Sequence, residues 1–168
     1  TADMAVQAAL TGHLVLSSLH TNDAPTAVTR MLDLGMPAYL INSTLLGVMA
    51  QRLVRTLCPH CKQPGEPPDD ETWRAITSPW RAEKPAQVMA PVGCVECRMT
   101  GYRGRIGLYE IMLMTPSIRK LVTTEADDTK IREQAYKDGM KPLRVSGAMK
   151  VAAGLTSADE VVKVAPLG

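Results

Sequence analysis

The sequence predicts an α/β fold, mostly helical, and three observations predict it. A short apolar run, Leu14-Val-Leu-Ser-Ser-Leu19, sits between two helical patterns. The last third carries apolar residues at helical spacing, broken by Gly139 and Gly154. Between these regions lie two CxxC pairs, Cys58-Pro-His-Cys61 and Cys94-Val-Glu-Cys97, which hold all four cysteines. Two such turns supply the four soft ligands that a tetrahedral Zn²⁺ needs.

Each element has a local reason. Ala2, Ala5, Val6, Ala9 and Leu10 fall at helical spacing, and Thr11-Gly12 closes that helix. The run 14–19 shows little alternation, which suits a strand covered on both faces in a parallel sheet. Thr21-Asn22-Asp23 offers N-caps, Pro25 fits the first turn of the next helix, and Gly35 stops it. Pro37 opens a longer helix to about Leu57, with Leu40, Ile41, Leu45, Val48, Met49 and Leu53 inward. Six of the twelve prolines fall in residues 62–92, predicting an irregular segment with one short helix near Glu71–Ile76. Gly101, Gly104 and Gly107 interrupt a basic stretch, and Ile106 to Met114 reads as a strand. Small helices follow over 116–123, 128–138, 142–153 and 157–164. Asp127 or Asp128 caps the second of these, and Ser157-Ala-Asp-Glu160 has capping-box spacing for the fourth.

Composition bounds the function classes. A chain of 168 residues is one ordinary domain or two small ones, and 45% apolar residues suffice for a core. Phe is absent and Met occurs ten times, so that core is aliphatic and adaptable. A net charge of +2 does not argue for nucleic acid or an acidic membrane. No run approaches the length of a membrane span. The chain opens without an initiator Met on a stretch that already reads as helix, so the expectation is a piece of a longer protein.

The candidate sites follow from residue type and position. Cys58, Cys61, Cys94 and Cys97 read as zinc ligands rather than disulfides, because paired CxxC spacing occurs here without a secretory signal. The 32 residues between Cys61 and Cys94 exceed those of a compact zinc ribbon, so the metal closes a long loop. With all four positions filled by thiolate, the site is structural rather than catalytic. His60, inside the first pair, is expected to point away. His13 and His20 flank the apolar run, one at each end. Their bland reading is a junction residue and a turn residue. Their sharper reading is a ligand site, because His20, Thr21 and Asn22 follow the carboxyl end of the expected strand and precede a helix N-terminus. Arg52 and Arg55 fall on the expected long helix as a solvated face. Arg98, Arg103 and Arg105 read as a solvated knuckle rather than a nucleic-acid surface.

Taken together, these residues resemble a known family. Thr11-Gly-His-Leu-Val-Leu-Ser-Ser-Leu-His-Thr-Asn22 resembles the histidine box of the ATPases that drive type II secretion and type IV pilus assembly. Ala50-Gln-Arg-Leu-Val-Arg-Thr-Leu-Cys-Pro-His-Cys61 resembles the approach to that family's tetracysteine motif. Gly93-Cys-Val-Glu-Cys97, Thr100-Gly-Tyr-Arg-Gly-Arg105 and Gly107-Leu-Tyr-Glu110 resemble its continuation. Gly139-Met-Lys-Pro-Leu and Gly154-Leu-Thr-Ser match the C-terminal helices. Retraction-type members lack the four cysteines, so the assembly and type II secretion branch fits best.

The resemblance implies a hexameric, RecA-like ATPase, peripheral on the cytoplasmic side of the bacterial inner membrane, that works on membrane platform proteins of a secretion or pilus machine. It implies three parts: residues 1–57 as the end of the RecA-like core, 58–110 as the tetracysteine zinc module, and 111–168 as a C-terminal helical domain. It implies His13 and His20 as catalytic residues, with Thr21, Asn22 and Arg52 near the nucleotide, and ATP and Mg²⁺ as cofactors of the longer protein beside structural zinc. The sequence itself contains no GxxxxGK[ST] loop and no apolar strand ending in an acidic Mg²⁺ partner, so this piece is expected to be inactive alone. The competing reading is a free-standing zinc-ribbon module that contacts nucleic acid or protein through its arginines.

Overall fold

The computed structural model describes residues 2–165. The fold is mixed α/β: helices with two small two-stranded sheets. In chain order the elements are α1 (Ala2–Leu10), α2 (Ala24–Asp33), α3 (Ala38–Thr44), β1 (Gly47–Leu57), β2 (Gln63–Gly65), α4 (Asp70–Thr77), β3 (Val88–Ala90), β4 (Tyr102–Leu113), α5 (Pro116–Leu121), α6 (Asp128–Lys137), α7 (Leu143–Ala152) and α8 (Ala158–Val164). A single 3₁₀ turn, Val95–Cys97, precedes β4. Strands β1 and β4 pair with each other, and β2 pairs antiparallel with β3 in the register Gln63↔Ala90, Pro64↔Met89, Gly65↔Val88.

Helix starts and stops fall where the side chains dictate. Asp23 caps α2 by accepting from the Thr26 amide, with Pro25 in the first turn. Asp127 caps α6 through the Thr129 amide, and Ser157 caps α8 through the Glu160 amide. Gly139 and Gly154 follow α6 and α7 with φ of 101° and 68°, the left-handed conformation that glycine reaches without a Cβ clash.

Compact packing divides the chain into two units, each built from two stretches of sequence. The first comprises residues up to Ala50 together with Glu110–Lys141; the second comprises Gln51–Tyr109 and the segment from Pro142 onward. Each has its own core. That of the first unit gathers Val28, Ile41, Met112, Ile118, Ile131 and Met140, an aliphatic and methionine-rich set. That of the second gathers Val54, Trp73, Ile76, Leu108, Val151 and Val161. Here the C-terminal helices α7 and α8 share a core with the segment that carries the cysteines.

Three sequence expectations are overturned. The long helix to Leu57 ends at Thr44, and residues 47–57 form β1 instead. Along β1, Ala50 and Val54 are buried, while Met49 and Leu53, assigned inward on the helical pattern, are 60% and 49% exposed. Pairing with β4, supplied from more than 40 residues away, overrides the local helical period. Arg52 and Arg55 therefore lie on a strand. Second, Leu14–Leu19 is not a buried strand: it takes no regular structure, with Leu14 and Leu16 77% and 88% exposed. A central parallel strand exists only through neighbours on both sides, and no strand of the described residues pairs with this run. Third, the proline-rich stretch is more ordered than its composition implies. Beside the expected short helix, which is α4 capped by Asp69, it holds the β2–β3 pair, whose three-residue strands are too short to show alternation.

Candidate metal centre and histidine box

The cysteines sit on two turns joined by secondary structure. β2 begins two residues after Cys61, and β3 ends four residues before Cys94. The ladder between them closes the long intervening loop and brings the turns face to face. All four sulfurs then lie within 4.8 Å of one another. The separations are 3.9 Å for Cys58–Cys94, 3.8 Å for Cys61–Cys97 and 3.8 Å for Cys94–Cys97. Sulfurs at about 2.3 Å from a tetrahedral Zn²⁺ stand about 3.8 Å apart, so the donor set fits that ion. The same separations are nearly twice the roughly 2.05 Å of a disulfide, and all four cysteines are free.

The backbone prepares these sulfurs for negative charge. Cys97 Sγ accepts from the Cys94 amide at 3.1 Å and the Gly101 amide at 3.2 Å, and Cys61 Sγ accepts from the Gly93 amide at 3.3 Å. Burial pushes the Cys97 thiol up, but these amide donors outweigh it and bring it down to about 6. Burial and the neighbouring sulfurs push Cys94 the other way, above its ordinary value. Gly101 must be glycine twice over: its φ is 78°, and a Cβ there would come within 2.5 Å of Pro91 Cβ. His60 is exposed and lies outside the cluster among the described residues.

The C-terminal segment is tied to the strand leading into the first turn. Arg55 on β1 donates from Nη2 to Glu160 Oε1 at 2.6 Å and from Nε to Oε2 at 3.0 Å, and Lys163 Nζ adds a bond to Oε1 at 3.0 Å. The Arg55 guanidinium lies 4.2 Å from the Tyr102 ring centroid, and Tyr102 Oη is 2.8 Å from Ser157 Oγ. The Leu57 amide donates to Leu155 O at 2.9 Å, and Lys62 Nζ to Gly154 O at 2.8 Å. No local pattern announces Arg55 and Glu160 as partners, which are 105 residues apart.

Arg55, foremost, holds the buried Glu160 carboxyl at about 2, against an ordinary value of 4.5. A depressed carboxylate contributes stability that is complete above its unfolded value and lost as pH falls through its folded one. The second unit is therefore expected to weaken between about pH 4.5 and pH 2. Glu160→Gln is expected to lose about 1–2 kcal/mol at neutral pH, allowing for the half-exposed Arg55, and to flatten that acid limb. Urea titrations of both proteins at several pH values check this; parallel acid limbs would refute it.

The histidine box lies in the first unit. His13 sits in the turn after α1, its Nδ1 3.1 Å from Thr11 Oγ1 and 3.3 Å from Ala8 O. His20 is exposed, three residues before the α2 cap. The expected strand end between them is not realised; the position ahead of a helix start is. Thr21 Oγ1 donates to Asp23 O at 3.1 Å, and Asn22 is exposed. Arg52, on β1, belongs to the second unit. Sequence reasoning missed two residues that support this segment. Glu110, buried on β4, accepts from the Ala24 amide at 2.8 Å, and Arg132 of α6 pairs with Asp23 at 2.7 Å. Burial pushes Asp23 up, but hydrogen bonds from Thr26 and Arg132 outweigh it and hold its carboxyl below the ordinary value. No helix of the described residues is long and apolar enough to cross a membrane.

The chain is thus mixed α/β, with a four-cysteine segment that shares a core with the C-terminal helices. The family model described as "Type II/IV secretion system protein" matches residues 1–163, and the chain belongs to that family. It is 52% identical over 167 residues to the type IV pilus assembly ATPase TfpB of Acinetobacter baylyi, covering 99% of this chain and 28% of that protein. It is 45% identical to the type II secretion system ATPase E of Vibrio cholerae, over 98% of this chain and 32% of the relative. It is 42% identical to the type IV pilus assembly ATPase PilB of Pseudomonas aeruginosa, over 98% and 29%. The chain thus spans about a third of the length of these relatives.

Proposed function

We propose that this chain forms the C-terminal part of a hexameric ATPase that powers type II secretion or type IV pilus assembly from the cytoplasmic face of the inner membrane. The observation that carries the reading is the end-to-end match to ATPases of both machines, with the four cysteines drawn into one tetrahedral set. In this reading residues 1–57 complete a RecA-like core, 58–110 form the zinc module and 111–168 form the C-terminal helical domain. His13 and His20 then act at the nucleotide, with Thr21 and Asn22 as further contributors to its site. ATP and Mg²⁺ belong to the longer protein, because the phosphate-cradling loop is not in this sequence. Zinc is a structural clip: four thiolates leave it no vacant position. Partners are other copies of the chain and the membrane platform of the machine.

The zinc-ribbon alternative is the weaker reading. The cysteine-bearing segment shares its core with Leu143, Val151 and Val161 of the C-terminal helices, which a free-standing ribbon has no need of. Phosphate release separates the two. The 168-residue chain is expected to show no ATP turnover above buffer, whereas the longer protein containing it hydrolyses ATP. Turnover by the chain alone, abolished by a substitution within it, would overturn this reading of its role. An inert longer protein would favour the binding module.

A further inference from the structure

We propose that Arg132, on α6, is a positioning residue for the histidine-box loop His20–Asn22; the inference rests on the reading of that loop as part of a nucleotide site. The loop ends at Asp23, whose carboxylate is divided between two tasks. Oδ1 accepts from the Thr26 amide at 2.9 Å and so starts α2. Oδ2 meets Arg132 Nη2 at 2.7 Å, while Asp128 Oδ2, on Arg132's own helix, is a looser neighbour at 3.7 Å. Glu110 Oε1 takes the Ala24 amide at 2.8 Å, and Thr21 Oγ1 bonds the Asp23 carbonyl at 3.1 Å. The backbone leaving the box is thereby held by groups that arrive from 86 and 109 residues away.

His20 itself is exposed and makes no hydrogen bond among the described residues. Its placement is inherited from this anchor rather than from contacts of its own ring. The Arg132–Asp23 pair is only partly buried, and such pairs contribute little to global stability. Its charge-assisted bond fixes direction, however, and a misplacement of about 1 Å at a reacting group can lower turnover by as much as 10²-fold. Arg132 therefore lets the helices downstream of the metal module set the geometry of the box without touching nucleotide.

Two measurements test this. The first is a histidine ring ¹⁵N–¹H correlation spectrum of the 168-residue chain, whose three histidines are His13, His20 and His60, with His20 assigned through His20→Gln. Arg132→Gln is expected to move the His20 resonance, leave that of His60 in place, keep zinc content unchanged and shift Tm by no more than about 2 °C. Arg132→Lys, which keeps the charge but loses the planar fork, is expected to move it part of the way. If Arg132→Gln does not fold, Arg132→Lys carries the test. An unmoved His20 resonance in the folded variant overturns the proposal.

The second is steady-state hydrolysis by the longer ATPase containing this chain. Arg132→Gln is expected to lower kcat about tenfold with KM for ATP within about twofold, and Arg132→Lys to recover part of the loss. Unchanged kcat, or a loss carried by KM alone, overturns a positioning role. Absence of hydrolysis in the unsubstituted protein refutes the nucleotide-site reading instead, a result the spectra distinguish.

Discussion

Cys97→Ser strips the metal and loosens the second unit while the first keeps its melting behaviour: this is the largest effect expected of any single change. Cys97 carries more of the site than its partners do. Its sulfur accepts from two backbone amides and stands 3.8 Å from both Cys61 and Cys94. A metal held by the four thiolates would bind the folded unit and not the unfolded chain, which stabilises the fold by about 3–4 kcal/mol at roughly 100 to 1,000 times its Kd. A loss of that size, confined to the second unit, is the expected outcome. Metal analysis with thiol titration should give one Zn²⁺ per chain in the native protein and none in the variant. Hydrogen exchange should then rise over residues 58–110 first. Four freely titrating thiols in a metal-free, fully folded native protein would refute the clip.

His20→Ala, in the longer ATPase, is expected to cut turnover by roughly 10²-fold with zinc content and Tm unchanged. The ring is exposed and bonded to nothing among the described residues, so its removal opens no cavity and orphans no partner. His13→Ala should have the smaller effect on turnover, since its Nδ1 already faces Thr11 and Ala8. Measuring zinc, melting and ATPase rate side by side for Cys97→Ser and His20→Ala separates clip from site. If both variants lose zinc, or if Cys97→Ser stays folded and loses only turnover, the division of labour is wrong.

The sequence by itself determined the features whose cause lies within one turn of the chain. Asp23, Asp127 and Ser157 start helices because a side-chain oxygen reaches an amide two or three residues on. Gly139 and Gly154 follow helix ends because only they take the left-handed conformation freely there. The two CxxC turns announce a four-sulfur cluster because their spacing already aims each pair of sulfurs at one point, and the fold brings all four within 4.8 Å of one another. The tertiary structure alone decided whatever needed a partner from far away. Residues 47–57 follow a helical period in sequence, yet β4 draws them into a strand. Leu14–Leu19 is apolar enough for a buried strand, but burial needs neighbours that the described residues do not provide. Arg55 finds Glu160 and Asp23 finds Arg132 across more than a hundred residues, a distance over which hydrophobic period and capping pattern carry no information. Local periodicity reports what a segment can do; long-range pairing, which exchanges chain entropy for strand, core and ion-pair contacts, selects what it does.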